Sequence, residues 1–254
     1  DIIFLLICLC KDIIVMSIEV RNLVKKFDDK VVIDDISFKV DDGEILAIVG
    51  FSGSGKSTVL KLICGLIPYD NGEVLTSEGD IAMVFQYSAL FDSLNVYDNI
   101  SFALHERRDL RSKYKEEEIK KIVSQKLELV GLKGIENKFP SELSGGMQKR
   151  VSFARAIVTK PNTILYDEPT AGLDPMSSTL IEDYIVRLKR ETNAASIVVT
   201  HQMSTITRTA DRVIMLYDGK IVFEGTPSEL LKQDNPYTKQ FVTASLDGPM
   251  KMKA

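Results

Sequence analysis

The stretch Gly50-Phe51-Ser52-Gly53-Ser54-Gly55-Lys56-Ser57-Thr58 holds the densest chemistry in this sequence. It fits G-x-x-x-x-G-K-[ST], the pattern of a phosphate-binding loop. Glycines let such a loop curl until its backbone N–H groups point inward at an anion. A following helix adds its positive N-terminal end. In that pattern Lys56 reaches the β- and γ-phosphates of a nucleotide, and the Ser57 hydroxyl sits on Mg²⁺. The bland alternative is a glycine-rich turn that binds nothing. Context argues against it. Ile45–Val49 before the loop reads as a buried strand, and Val59–Ile63 after it as the start of a helix.

Other candidates stand at the ends of apolar runs. Thr163–Tyr166 ends in Asp167-Glu168. Beside a phosphate loop, Asp167 suits a metal held from the Ser57 side, and Glu168 suits a base for water. An ordinary loop Asp-Glu pair is the alternative. Ser196–Thr200 ends in His201. The second histidine, His105, falls in a helical region with no evident partner. Ile81–Phe85 ends in Gln86, where ligands bind in an α/β sheet. Ser144-Gly145-Gly146, inside Leu143–Gln148, opens a helix. It is either a second anion-ready site or only an N-cap. Phe27 is either a base-stacking aromatic or core.

The positioning elements follow from pattern. Residues 18–49 alternate as strands, with turns at Asp28-Asp29 and Asp41-Asp42-Gly43. From 98 to 160 the period turns helical, with Ile119, Ile122, Val123, Leu127 and Val130 on one face. Glu116 and Glu117 are spaced to pair with Lys120 and Lys121. Leu180, Ile181, Tyr184, Ile185 and Leu188 read as a core stripe. Val213–Phe223 reads as a hairpin around Asp218-Gly219. From Pro227 a short helix, a polar joint and a loose Lys-rich end are expected. Strands alternating with helices, each candidate at a strand's C-terminal end, predict a doubly wound α/β fold.

Composition sets bounds. The 254 residues and 44% hydrophobic content suit one α/β domain with a sizeable core. A net charge of −4 argues against a basic nucleic-acid-binding surface. Three cysteines without a pairing pattern fit a reducing compartment. Residues 1–15 are apolar, too short to span a bilayer, and lack signal-peptide features. They are expected to be an upstream-translated leader before Met16, with a membrane-touching anchor as the rival.

With these residues assembled, the chain resembles the ATPase subunits of ABC transporters from Ile18 to about Thr226. The resemblance implies a P-loop fold of the ABC ATPase type. Its parallel sheet carries an antiparallel β subdomain and a helical insertion. It implies one domain over 16–245, with a core of 16–85 and 161–226, a helical subdomain of about 86–160, and a tail over 227–254. By the same token Phe27 stacks on adenine, and Gly50, Ser52, Gly53, Ser54, Gly55, Lys56, Ser57 and Thr58 bind the phosphates. Gln86, Asp167 and Ser57 hold the metal, with Glu168, His201 and Gln86 catalytic. Leu143, Ser144, Gly145, Gly146, Met147 and Gln148 form a signature for the opposite subunit's ATP, and Asp174 faces that subunit. ATP and Mg²⁺ are the implied cofactors.

Ser88–Asn99, Leu104-His105-Glu106, Ser144–Arg150, Gln240-Phe241 and Asp247-Gly248-Pro249 are similar to the Mla-type branch. That branch implies phospholipid movement by a homodimer on a Mla-type permease with an MCE-domain protein. It places the subunit peripherally at the cytoplasmic face of the inner (plasma) membrane, with no nucleic-acid partner. A small-solute importer, or a regulatory, force-transmitting role of the cell-division type, is the alternative. Two departures stand out. Gly72–Ile81 is short for the family, and Phe51 replaces a commoner, equally acceptable Pro.

Overall fold

The computed structural model describes residues 18–77 and 79–251. The leader 1–15 lies outside the described residues. In chain order, β1 (Ile18–Phe27) and β2 (Lys30–Val40) form a hairpin, and β3 (Ile45–Val49) leads to α1 (Lys56–Ile63). Next come β4 (Asn71–Thr76) and β5 (Ile81–Val84). Four helices follow: α2 (Val96–Glu106), α3 (Arg108–Arg111), α4 (Glu116–Leu129) and α5 (Gly145–Ala156). Then β6 (Thr163–Asp167), α6 (Pro175–Thr192), β7 (Ala195–Val199) and α7 (Met203–Thr209) alternate. The hairpin β8 (Arg212–Tyr217) and β9 (Lys220–Gly225) precedes α8 (Pro227–Lys232) and α9 (Pro236–Thr243).

Two sheets result. One is antiparallel, ordered β2-β1-β4. The other is ordered β5-β6-β7-β3-β8-β9 and is parallel except for the β8–β9 pair. Every residue of β3, β6 and β7 is buried. Continuous apolar runs of this kind are what a strand covered on both faces requires. The parallel order brings the C-terminal ends of β5, β6, β7 and β3 side by side. Gln86, Asp167-Glu168, His201 and Gly50 stand at those ends. The β8–β9 turn has Asp218 at φ 49° and Gly219 at φ 78°, the double positive φ of a type I′ hairpin.

Helix starts are fixed by their caps. Asn95 Oδ1 accepts from Asp98 N at 2.8 Å, and Asp174 Oδ1 accepts from Met176 N and Ser177 N at 3.0 Å. Each such cap contributes about 1 kcal/mol. Pro175 at the first position of α6 lacks only an N–H that would be orphaned there anyway.

Three expectations change. Leu180 is 44% exposed, so it is not core. The apolar arc of α6 is narrower and runs through Ile181, Ile185 and Leu188. Glu116 does not pair with Lys120. Its carboxylate accepts from Tyr97 Oη at 2.5 Å and lies 3.9 Å from His105 Nε2, which gives His105 a partner. The C-terminal end is not loose up to Lys251. Met250 is buried, and Lys251 N donates to Tyr217 Oη at 3.0 Å. The chain beyond it, 252–254, lies outside the described residues. Arg107 forms ion pairs with Asp80 and Asp109. It thereby ties the α2–α3 junction to the short segment before β5.

Candidate active site

Beyond Val49 the backbone turns through Gly50, at φ 146°, and re-enters a helix after Gly55, at φ 99°. Both positions have a left-handed backbone that disfavours any side chain, and at Gly50 the space excludes one as well. A Cβ on Gly50 would lie 2.3 Å from Leu216 O, and one on Gly55 would lie 2.7 Å from Ile33 Cδ1. Close approach to the sheet backbone demands glycine at Gly50, and the positive φ demands it at Gly55. Lys56 Nζ donates to Gly50 O at 2.9 Å and Phe51 O at 2.8 Å. Burial pushes its pKa down, against the opposing pull of Glu168 and Asp167.

The Ser57 hydroxyl donates to Asp167 Oδ1 at 2.8 Å, across from α1 to the end of β6. Burial raises the Asp167 pKa, Ser57 lowers it, and neighbouring Glu168 raises it again. Glu168 has a left-handed backbone, φ 47°, fixed by its N–H bond to Val199 O at 2.9 Å. Its Oε1 lies 2.9 Å from His201 Nδ1. Its Oε2 is buried without a partner.

Lys56, Ser57 and Glu168 line one cavity of about 780 Å³, with Asp167 reached through Ser57. Gly50, Ser52, Gly53, Gly55, Lys56, Ser57 and Thr58 line its phosphate-loop side. Gln86, Glu168 and His201 line the strand-end side, and Phe27 lines it from β1. Phe27 is 46% exposed, with Lys25 Nζ 5.2 Å from its ring centre. Ser54 is instead buried beneath the loop, its Oγ unpartnered. Sequence reasoning missed Val32, Phe51, Phe241 and Ala244 as cavity walls. No periodicity signals that α9 comes back to the loop. The paired Gln240-Phe241 was the one trace.

Leu143, Ser144, Gly145, Gly146, Met147, Gln148 and Asp174 are not brought to this cavity within the chain. Ser144 Oγ caps α5, accepting from Met147 N at 3.3 Å. Gln148 accepts from Ser88 Oγ at 3.1 Å and donates to Pro140 O at 2.9 Å. Lys149 donates to the carbonyls of Pro169 and Ala171, tying α5 to the loop that follows Glu168. The loop after Gln86 is built around buried Asn99. Its amide accepts from Phe91 N at 2.8 Å and donates to the carbonyls of Phe91, Leu94 and Asn95 at 3.0, 2.9 and 3.0 Å. Phe91, 45% exposed, packs against Phe102 with ring centres 4.9 Å apart and the rings tilted by 42°. Arg155 supports the same loop through Ala89 O at 2.9 Å.

The ABC transporter family model matches residues 33–171. "Protein TRIGALACTOSYLDIACYLGLYCEROL 3, chloroplastic" of Arabidopsis thaliana is 46% identical over 92% of this chain and 75% of its own. "Intermembrane phospholipid transport system ATP-binding protein MlaF" of Haemophilus influenzae is 39% identical over 93% and 94%. "Sulfate/thiosulfate import ATP-binding protein CysA" of Bradyrhizobium diazoefficiens is 36% identical over 93% and 72%. Among solved structures, a dimeric ATP-binding cassette in a post-hydrolysis state with ADP and Pi aligns with a TM-score of 0.74. It is 30% identical and covers 83% of this chain and 98% of that one. The chain belongs to the ABC transporter family. It is an ATPase with the P-loop fold of that family.

Proposed function

We propose that this chain is the ATP-hydrolysing subunit of a phospholipid transporter. It works as a homodimer on a Mla-type permease, with an MCE-domain protein, at the cytoplasmic face of the membrane. The observation that carries this reading is the near-full-length similarity to MlaF, whose name ties it to intermembrane phospholipid transport. No helix among the described residues is long and apolar enough to cross a membrane, as a peripheral subunit requires.

The site's residues suit the chemistry. Ser57 Oγ, Asp167 and Gln86 offer only oxygen donors, the set a hard cation prefers, and the Ser57–Asp167 contact shows two of them converging. They would hold Mg²⁺, which supplies charge neutralisation at the phosphates. Lys56 and the loop N–H groups bind the β- and γ-phosphates. Glu168 Oε2 accepts a proton from the attacking water, while His201 keeps Oε1 in place. Ser144 and Gly146 stand away from their own chain's cavity, so they suit the γ-phosphate of a second subunit's ATP. Phe91 and Phe102, in the loop and helix that follow Gln86 in the chain, form an exposed apolar surface on which a permease's cytoplasmic helix docks.

The test is ATP-driven transfer of labelled glycerophospholipid between vesicles by the subunit reconstituted with a Mla-type permease and an MCE-domain protein. Transfer that stops in Glu168→Gln is expected. No lipid transfer by the wild-type complex, with robust uptake of a small solute instead, would favour the importer reading.

A further inference from the structure

Two sequence features noted only for their resemblance, Gln240-Phe241 and Asp247-Gly248-Pro249, meet in the fold. Gln240 is buried, and its amide clasps the backbone of Met250. Nε2 donates to Met250 O at 2.8 Å, and Oε1 accepts from Met250 N at 2.8 Å. A third bond runs from Nε2 to Ser245 O at 3.3 Å. Gly248 lies against this amide, and a Cβ there would fall 2.3 Å from Oε1. The Gln240 side chain is pinned by its own bonds, so it has little room to yield. Met250 packs in the core formed with Ala47, Val49 and Leu230. The chain from 236 to 251 is therefore a strap fastened at Gln240.

What the strap presents is Phe241. Its ring centre lies 6.3 Å from that of Phe51 in the phosphate loop, and with Ala244 it walls the cavity. The remaining apolar walls, Phe27 and Val32, come from β1 and β2. The cavity thus joins an anion-binding loop to an aromatic and aliphatic lining. A nucleotide has the same division, a polyanion joined to a flat ring with a π-face.

We propose that Phe241 is a base-contacting residue of the nucleotide pocket and that Gln240 positions it. This rests on the cavity being the nucleotide site. The C-terminal strap is then part of substrate recognition rather than an appendage.

The test compares ADP with pyrophosphate, which engages the loop but has no base, by calorimetry on the full chain. Phe241→Ala should weaken ADP by about tenfold, the loss expected for one stacking aromatic. Pyrophosphate affinity should stay within about twofold. Gln240→Ala should reproduce the selective loss. Unchanged ADP affinity in Phe241→Ala overturns the proposal. So does an equal loss of both ligands, which would make Phe241 a support for the loop. Hydrogen exchange on the wild-type chain gives a second reading that needs no variant. ADP, and not pyrophosphate, should slow exchange across 236–244, and equal effects overturn the proposal. Wild-type protein that binds neither ligand would overturn the pocket assignment itself, a distinct result.

Discussion

His201 Nδ1 lies 2.9 Å from Glu168 Oε1, while Glu168 Oε2, buried beside it, has no hydrogen-bond partner. One oxygen is held and the other is open, the geometry of an oriented base. Glu168→Gln keeps the shape and removes the basicity. Turnover should fall by roughly 10²–10⁴-fold, with nucleotide binding kept. His201→Ala should cost less, since it frees the carboxylate without removing it. Phosphate release checks both, and wild-type turnover in Glu168→Gln would place the base elsewhere.

Lys56 is expected to impose a pH dependence on binding. Burial depresses its pKa below the ordinary lysine value of 10.5. A neutral lysine cannot pair with phosphate. Affinity for ADP should therefore decline as pH rises through the depressed pKa, before 10.5 is reached. Titrations between about pH 7 and 10 would show it, and Lys56→Arg should flatten the curve. Lys56→Ala should cost on the order of 2–5 kcal/mol of affinity at neutral pH.

Ser144→Arg tests the assignment of the signature to a second subunit. With ATP and Mg²⁺, Glu168→Gln protein should dimerise in light scattering. Adding Ser144→Arg should keep it monomeric by filling the space meant for the γ-phosphate. A dimer indifferent to that change would need another interface.

Phe91→Asp addresses docking. Phe91 stands on the surface, so the lone subunit should fold and hydrolyse ATP as before. Lipid transfer by the reconstituted complex should drop to background. Unchanged transfer would move the permease contact away from this loop.

Glu182 concerns stability. It is 1% exposed, accepts from Thr205 Oγ1 at 2.8 Å and Ser204 Oγ at 3.3 Å, and pairs with Arg208 Nε at 2.9 Å. These contacts lock α6, which follows Asp174, to α7, which follows His201. Glu182→Ala should cost roughly 2–4 kcal/mol in denaturant unfolding, less than a wholly buried pair because Arg208 is half exposed. Glu182→Gln retains an acceptor and should cost less. Equal losses would assign the effect to charge alone.

The strand ends were legible because their chemistry is local. Gly50–Thr58, Asp167-Glu168 and His201 each follow a short apolar run, and parallel pairing brings such ends together. The misjudged positions are those decided by distant contacts. Periodicity placed Leu180 on an apolar stripe of α6, but which part of that stripe is covered depends on how α6 packs. Spacing offered Lys120 to Glu116, yet Tyr97 from another helix took the carboxylate. Phe51 looked like a neutral replacement for Pro. Its partner, Phe241, is 190 residues further along the chain, beyond the reach of any local pattern.

The hydrogen bonds of Asn99 have a mechanical consequence. They fasten residues 91–95 to the first turn of α2, so the loop has no independent hinge. A load applied at Phe91 is not absorbed by the loop but passes as a rigid lever into α2. If a permease docks at Phe91 as proposed, stiffness at this corner, set by one buried amide, fixes how much of its displacement reaches α2 rather than being lost as slack.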